Sequence, residues 1–171
     1  MLKPDTLSIL QYMKQSALLT DLYELTMMQG YFFKDRNPHV VFDMFFRNQP
    51  FHSGFSVFAG LEDMLRTLEN FAFSPEDIDY LAGLNLFHDQ FLEYLRNFRF
   101  SGDIYSMDEG SIIFPGEPIL RVHSPLIEAQ LIESMLLNTL NFQSLVATKA
   151  ARIYHAAERG KILEFGLRRA Q

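Results

Sequence analysis

Two adjacent arginines, Arg168 and Arg169, are the residues of this sequence best suited to hold an anion. A guanidinium group can donate two parallel hydrogen bonds to a phosphate or a carboxylate. The pair follows residues 161–165, whose pattern predicts a β-strand, so both arginines are expected at a strand end. The residue types alone leave two interpretations open: a phosphate or carboxylate clamp, or a solvated basic pair.

The remaining polar residues do not form a catalytic set with a recognisable spacing. The histidines and carboxylates lack the spacing of a metal site built by the protein. The acid pairs at 76–77 and 108–109 fall at a helix start and a turn, which indicates structural roles. The 171 residues contain no cysteine, which excludes disulfides, thiolate catalysis and cysteine-bound zinc within them.

The composition is that of a globular protein with a real core. Hydrophobic residues make up 48% and charged residues 21% of the chain. Its 17 phenylalanines predict large buried surfaces. The net charge of −6 argues against a general nucleic-acid binder, which usually needs a basic face. No apolar run is long enough for a membrane span, and the N-terminus lacks a signal-peptide pattern, so we expect a cytoplasmic protein.

The first half of the sequence predicts short strands among amphipathic helices. We expect a helix at 7–15 and another from an N-cap at Thr20 to about Phe33. Strands are expected at 39–46 and 55–58. Helices are expected at 61–71, from the cap motif that begins at Ser74, and at 87–98.

The second half predicts a small β-structure followed by long helices. Strands are expected at 103–107, 111–114 and 118–123, separated by glycine and proline turns. A deeply buried helix begins near Leu126, because it is apolar on several sides. A further helix runs from about 142 to 158, with Gly160 as its C-cap. The strand expected at 161–165 suggests a larger parent domain, although a genuine C-terminal tail is the alternative.

Several segments together resemble nicotinate phosphoribosyltransferases. They occur in that family's order and approximate spacing, and they cover nearly the whole chain from about residue 16. The segments are LLTDLYELTM at 18–27, FFRNQPF at 45–51, FPGEPILRV at 114–122 with PLIEAQLIE at 125–133, NFQSLVATKAAR at 141–152 and EFGLRRAQ at 164–171.

The resemblance implies an enzyme of NAD salvage, a glycosyltransferase and ATP-coupled ligase. Nicotinate would attack C1 of phosphoribosyl pyrophosphate and yield nicotinate mononucleotide and pyrophosphate, with ATP hydrolysis coupled to turnover. Magnesium would arrive with the phosphates, and no tightly bound cofactor is implied. The implied assembly is a homodimer with a shared active site, and neither nucleic acid nor a membrane is an expected partner.

The resemblance also implies a mixed α/β (α+β) fold in two parts. Residues 1–123 would belong to an N-terminal α/β sandwich. Residues 124–171 would supply helices and the first strand of an irregular α/β barrel, the type II phosphoribosyltransferase fold. The family's phosphorylated histidine lies beyond the equivalent of Gln171, so the 171 residues alone are expected to be inactive.

Site residues follow from the same resemblance. The family carries a stacking tyrosine at the position of Tyr23, which in its dimers reaches the partner subunit's site. Phe165 would form the opposite wall of the pyridine slot, and Arg168 and Arg169 would bind phosphate or carboxylate. The alternative for both aromatic residues is ordinary core packing.

Two other functions remain open at this stage. The chain could be a non-catalytic interaction half that needs a second chain to complete the barrel, in which case a large apolar patch should be exposed. It could also belong to a related enzyme that acts on nicotinamide or quinolinate, because Phe165, Gly166 and Arg168 also fit the nicotinamide enzyme.

Overall fold

The computed structural model describes residues 17–158 and 160–166. The helix expected at 7–15 therefore lies outside the described residues. Secondary structure alternates between helices and short strands, as the hydrophobic pattern predicts. The elements in order are α1 (Leu22–Phe33), β1 (His39–Met44), a 3-10 turn (Pro50–His52), β2 (Ser56–Val57), α2 (Leu61–Glu69), α3 (Pro75–Gly83), α4 (Asp89–Arg96), β3 (Asp103–Ser106), β4 (Ile112–Ile113), β5 (Leu120–Pro125), α5 (Leu126–Leu131) and α6 (Glu133–Ala156).

Two antiparallel sheets form the β-structure. Strand β5 lies at the centre of a three-stranded sheet between β1 and β3. In its register Val122 faces Phe42 on one side and Ile104 on the other. Strands β2 and β4 form a separate two-stranded sheet. The side chains of Leu120, Val122 and Ser124 alternate into the interior, whereas Arg121 points to the solvent face.

Two helix starts depend on acidic side chains, as the sequence indicates. The Ser74 hydroxyl accepts the Asp77 N–H at 3.1 Å, and the Asp77 carboxylate accepts the Ser74 N–H at 2.8 Å. This capping box confirms the predicted start of α3. Glu109, at the turn before β4, accepts the Gly60 N–H at 2.5 Å and the Glu62 N–H at 3.3 Å. Both predicted acid pairs therefore have a structural member.

The helix that begins near Leu126 is buried, as its apolar pattern predicts. Leu131, Ile132 and Met135 are wholly inaccessible to solvent. Instead of one helix from near Leu126 and a separate helix from about 142 to 158, however, the chain forms the short α5 and then the 24-residue α6. The break falls at Ile132, and the helix continues through residue 142 because no proline or glycine interrupts residues 133–156. Its C-cap position is Ala157, not Gly160.

The strand expected at 161–165 is wrong for this structure. These residues have no regular secondary structure, although their apolar pattern fits a strand. A strand requires a neighbour to accept and donate its ladder hydrogen bonds. No such neighbour lies beside them among residues 17–158.

Phenylalanines build much of the core, as their number predicts. Phe58, Phe71 and Phe91 are fully buried. Phe98 meets both Phe71 and Phe73 edge to face, at ring-centroid distances of 6.3 and 6.4 Å. Other phenylalanines remain exposed, among them Phe45, Phe51 and Phe114. No helix of the described chain is long and apolar enough to cross a membrane.

Candidate functional site

Tyr23 lies in the first turn of α1 and projects away from the core. Its side chain is 56% exposed, whereas Leu25 and Met28 of the same helix are buried. Within the described residues, Tyr23 is therefore not a core residue, which was the alternative role for it. The charge of Glu24 raises the pKa of Tyr23, and partial burial together with Glu133 and Asp21 raises it further.

Glu24, the next residue, is oriented inward. It is 1% exposed, and its carboxylate accepts hydrogen bonds from the hydroxyls of Thr20 and Ser134. Thr20 was expected to be the N-cap of α1; the N-cap position is Asp21, and the Thr20 hydroxyl binds Glu24 instead. Burial raises the pKa of Glu24, although the hydrogen bond from Thr20 opposes this shift. The sequence pattern of α1 indicates only an acidic residue in the first helical turn at position 24, and it does not predict that the Glu24 side chain is buried.

A groove of about 760 Å³ opens beside this first turn. It runs between the start of α1, the segment after β1 and the middle of α6. The polar groups of its lining are hydroxyls, amides and one carboxylate. None of the lining side chains is cationic. The groove is therefore suited to neutral polar or aromatic groups rather than to phosphate. The residues are Leu19, Thr20, Asp21, Phe46, Asn48, Pro50, Ser134, Leu137, Asn138, Asn141, Phe142 and Leu145.

A second groove of about 860 Å³ continues from the first along α6. The two share Phe46, Asn48, Leu137 and Asn141. The second groove lies between strands β1 and β5 on one side and helices α5 and α6 on the other. Arg47 is one of its lining residues. Its walls are mostly apolar, so the described chain leaves an extended apolar channel open.

Phe165, the second aromatic site prediction, is 92% exposed in the segment after α6. Phe165 therefore packs into no core formed by the described residues. Among the described residues no ring contact joins Phe165 to Tyr23, so the structure of one chain does not bring the two proposed slot walls together. Arg168 and Arg169 lie outside the described residues.

A basic cluster that the sequence analysis missed lies on the outer surface of α6. Lys149 Nζ and Arg152 Cζ each lie 5.8 Å from the centre of the Phe51 ring. Arg152 also donates to the Phe51 carbonyl oxygen at 3.0 Å. The spacing of three residues on one helix is the sequence signal for this pair, but Phe51 comes from a distant loop.

No metal centre is formed within the described residues. Groups of three or more histidine, aspartate or glutamate side chains that could hold an ion do not occur there.

Comparisons with known proteins agree with the sequence motifs. The family model for the nicotinate phosphoribosyltransferase (NAPRTase) N-terminal domain matches residues 18–141. A nicotinate phosphoribosyltransferase of Bacillus subtilis (strain 168) is 48% identical over 156 residues, which are 90% of this chain and 32% of the relative. One of Mycobacterium tuberculosis is 45% identical over 154 residues, 90% of this chain and 33% of the relative.

Solved structures place the chain in the same fold. The crystal structure of human nicotinic acid phosphoribosyltransferase superposes with a TM-score of 0.80 at 41% identity, over 89% of this chain and 31% of that one. Nicotinate-nucleotide pyrophosphorylase from Pyrococcus furiosus superposes with a TM-score of 0.70 at 22% identity, over 100% of this chain and 35% of that one, which shows a shared fold only.

The mixed α/β (α+β) fold implied by the motifs is thereby confirmed, while the boundary after residue 123 stays a prediction. The chain spans about a third of the length of the curated relatives it matches. With the family model matching most of its residues and relatives that are more than 40% identical, the chain belongs to the nicotinate phosphoribosyltransferase family.

Proposed function

We propose that the protein carrying this chain converts nicotinate and phosphoribosyl pyrophosphate to nicotinate mononucleotide and pyrophosphate, with ATP hydrolysis coupled to turnover. The observation that supports this most is the match of residues 18–141 to the family model. The 171 residues supply the N-terminal part of the enzyme and are inactive alone. The protein works in the cytoplasm, in salvage of NAD.

Tyr23 forms one wall of the pyridine slot in this proposal. Its exposure supports the role, because a ring that is 56% exposed is free to stack on a flat ligand. Offset stacking of two rings contributes roughly 0.5–1.5 kcal/mol beyond area burial. The acids Asp21, Glu24 and Glu133 around Tyr23 repel the nicotinate carboxylate. The carboxylate must therefore point away from Tyr23, toward a cation on another element.

Phe165 and the two arginines supply the other side of the slot. The Phe165 ring closes on the opposite face of the pyridine. Arg168 and Arg169 bind the carboxylate or a phosphate, as guanidinium groups do in bidentate pairs. One chain does not join Tyr23 to Phe165, which fits a homodimer in which Tyr23 serves the partner subunit's site. Magnesium enters with the phosphates of the substrates, whose oxygens are ligands that it prefers.

Product formation by the full-length protein tests the reaction. Nicotinate, phosphoribosyl pyrophosphate, magnesium and ATP are supplied, and nicotinate mononucleotide is quantified. We expect turnover by the full-length protein and none by the folded 171-residue chain. Competition with nicotinamide and quinolinate separates the related enzymes, since nicotinate should be consumed preferentially. No nicotinate mononucleotide from a folded full-length protein would refute the proposal.

Site variants in the same assay test the slot. Tyr23→Ala and Arg168→Ala should each lower kcat/KM for nicotinate. Tyr80→Ala is a matched control, because Tyr80 is similarly exposed, at 59%, on α3. Arg66→Ala, on the exposed face of α2, is the control for Arg168. Equal effects of Tyr23→Ala and Tyr80→Ala would argue against the stacking role.

A second candidate function is a non-catalytic interaction half. The observation that favours it is the exposed apolar surface of the last turns of α6 and the segment after it. Its members include Val146, Ile153, Tyr154, Leu163 and Phe165. Patches of this kind in soluble proteins usually mark an interaction site. Light scattering of the 171-residue chain should show association that Ile153→Lys weakens, and a strictly monomeric chain would refute this function.

A further inference from the structure

The buried carboxylate of Glu24 joins the start of α1 to the start of α6. The Ser134 hydroxyl lies 3.3 Å from Glu24 Oε1 and 3.4 Å from Oε2, and the Thr20 hydroxyl binds Oε2. Ser134 is 110 positions away along the chain. The contact is therefore a tertiary link between two helices and not a local cap.

A carboxylate in this place is costly, because burial removes its hydration. Among the described residues no cation forms an ion pair with Glu24 to offset that cost. An apolar side chain at position 24 would bury without this penalty and would suit the α1 pattern, whose neighbours Leu25 and Met28 are buried. Core stability alone therefore does not account for a glutamate here. What the carboxylate adds is directional geometry, since hydrogen bonds hold the two hydroxyls in place.

That geometry acts directly on Tyr23. Successive residues of an α-helix point about 100° apart, as 3.6 residues make one turn. Holding Glu24 inward therefore turns the Tyr23 ring outward, to the surface where it is 56% exposed. The same link also joins two walls of the first groove, because Thr20 and Ser134 both line that groove. When each hydroxyl donates its single proton to Glu24, it offers only acceptor lone pairs to the groove.

We propose that Glu24 is a positioning residue, whose buried link from α1 to Ser134 of α6 holds Tyr23 in place to stack on nicotinate. The inference rests on the proposed function and adds to it a residue that does not touch the substrate. It acts through Tyr23, so its effect should vanish when the tyrosine ring is absent.

Steady-state kinetics of the full-length protein tests this role. Glu24→Ala should raise the KM for nicotinate about tenfold, equivalent to about 1.4 kcal/mol. The KM for phosphoribosyl pyrophosphate should not change. Glu24→Gln should restore most of the affinity, because its amide can still accept from Thr20 and donate to the Ser134 oxygen. Ser134→Ala, which retains the buried carboxylate and one donor, should raise the KM for nicotinate about threefold, roughly 0.6 kcal/mol.

Glu128→Ala is the matched control. Glu128 is also a buried glutamate, 8% exposed, and it accepts the Ser101 N–H at 2.6 Å and the Ser101 hydroxyl at 3.0 Å. Its removal should lower stability without raising the KM for nicotinate. If Glu128→Ala and Glu24→Ala raised that KM equally, the effect of Glu24 would be general destabilisation and the inference would be wrong.

The double variant separates this inference from the proposed function. If Glu24 acts through Tyr23, Tyr23→Ala with Glu24→Ala should be no worse than Tyr23→Ala alone. Additive losses, with a sensitive Tyr23, would overturn the positioning role and leave the stacking role intact. An unchanged KM in Tyr23→Ala itself would overturn the stacking role, and the positioning role with it.

Discussion

Arg121 and Asp43 face each other across strands β5 and β1 in a two-pronged ion pair. Arg121 Nε lies 2.6 Å from Asp43 Oδ1, and a terminal nitrogen lies 2.9 Å from Oδ2. The two residues are direct partners in the strand register. The pair therefore pins β1 to the central strand on the solvent face of the sheet.

This pair predicts a pH dependence of stability. The hydrogen bonds from Arg121 hold the pKa of Asp43 below its ordinary value. A lowered folded-state pKa means that the stabilisation is present above the ordinary pKa and is lost as pH falls through the folded value. Urea unfolding of the wild type and of Asp43→Asn should differ at neutral pH, and the difference should shrink as the solution is acidified. A difference that grows with acid would contradict the assignment.

We expect the loss of the Thr148 hydroxyl to lower stability, because that hydroxyl is the acceptor for one backbone N–H group. Its hydroxyl accepts the Val57 N–H at 2.9 Å and donates to the Ser144 carbonyl oxygen at 2.6 Å. Thr148→Val keeps the shape but leaves the Val57 N–H of β2 without this acceptor. The free energy of unfolding should fall by about 1–3 kcal/mol. Thr67→Val, whose hydroxyl binds only its own exposed helix, is the control and should change little.

We expect Glu109 to stabilise the N-terminus of α2, although Glu109 lies outside that helix. Gly60, at the N-cap of α2, has no side chain, so Glu109 accepts the N–H groups there. Glu109→Ala should lower the free energy of unfolding by about 0.5–2 kcal/mol, as the loss of an N-cap acceptor does. The neighbouring Asp108→Ala removes the same charge without this contact. Equal shifts in the urea midpoint for both variants would show that only net charge matters.

We expect position 102 not to tolerate even the single methyl group of an alanine side chain. A Cβ at this position would lie 2.6 Å from the His123 carbonyl oxygen and would also strike the Ser124 side chain. Gly102→Ala should therefore lower the free energy of unfolding by about 1–3 kcal/mol, the usual effect of overpacking. Gly30→Ala, in the last turn of α1, meets no atom within 4 Å and should instead stabilise by up to about 1 kcal/mol. Thermal unfolding of both variants tests this prediction: the Tm should fall for Gly102→Ala and should not fall for Gly30→Ala.

The local pattern was enough for most elements. Ser74 with Asp77 marked a helix start, and the glycine and proline turn before residue 118 marked the start of the strand that became β5. These signals depend on nearest neighbours along the chain, which is why one sequence carries them. The motifs around Tyr23 and residues 114–152 likewise identified the family, because their order and spacing are specific.

Partners distant in sequence could not be predicted in this way. The prediction of a strand at 161–165 was wrong because a strand needs a partner strand, and the apolar pattern of one segment does not identify that partner. Gln143, at a predicted helix start, instead lies inside α6. The orientation of Phe165 was equally undetermined, since an apolar ring fits both a core and an exposed site.

The sequence by itself determined the family and the mixed fold, and its family motifs predicted Tyr23 as a site residue. The tertiary structure alone decided that Tyr23 is exposed while Glu24 beside it is buried. The reason is physical: a helix turns adjacent side chains in different directions, and only the packing of α6 against α1 selects which of them faces Ser134.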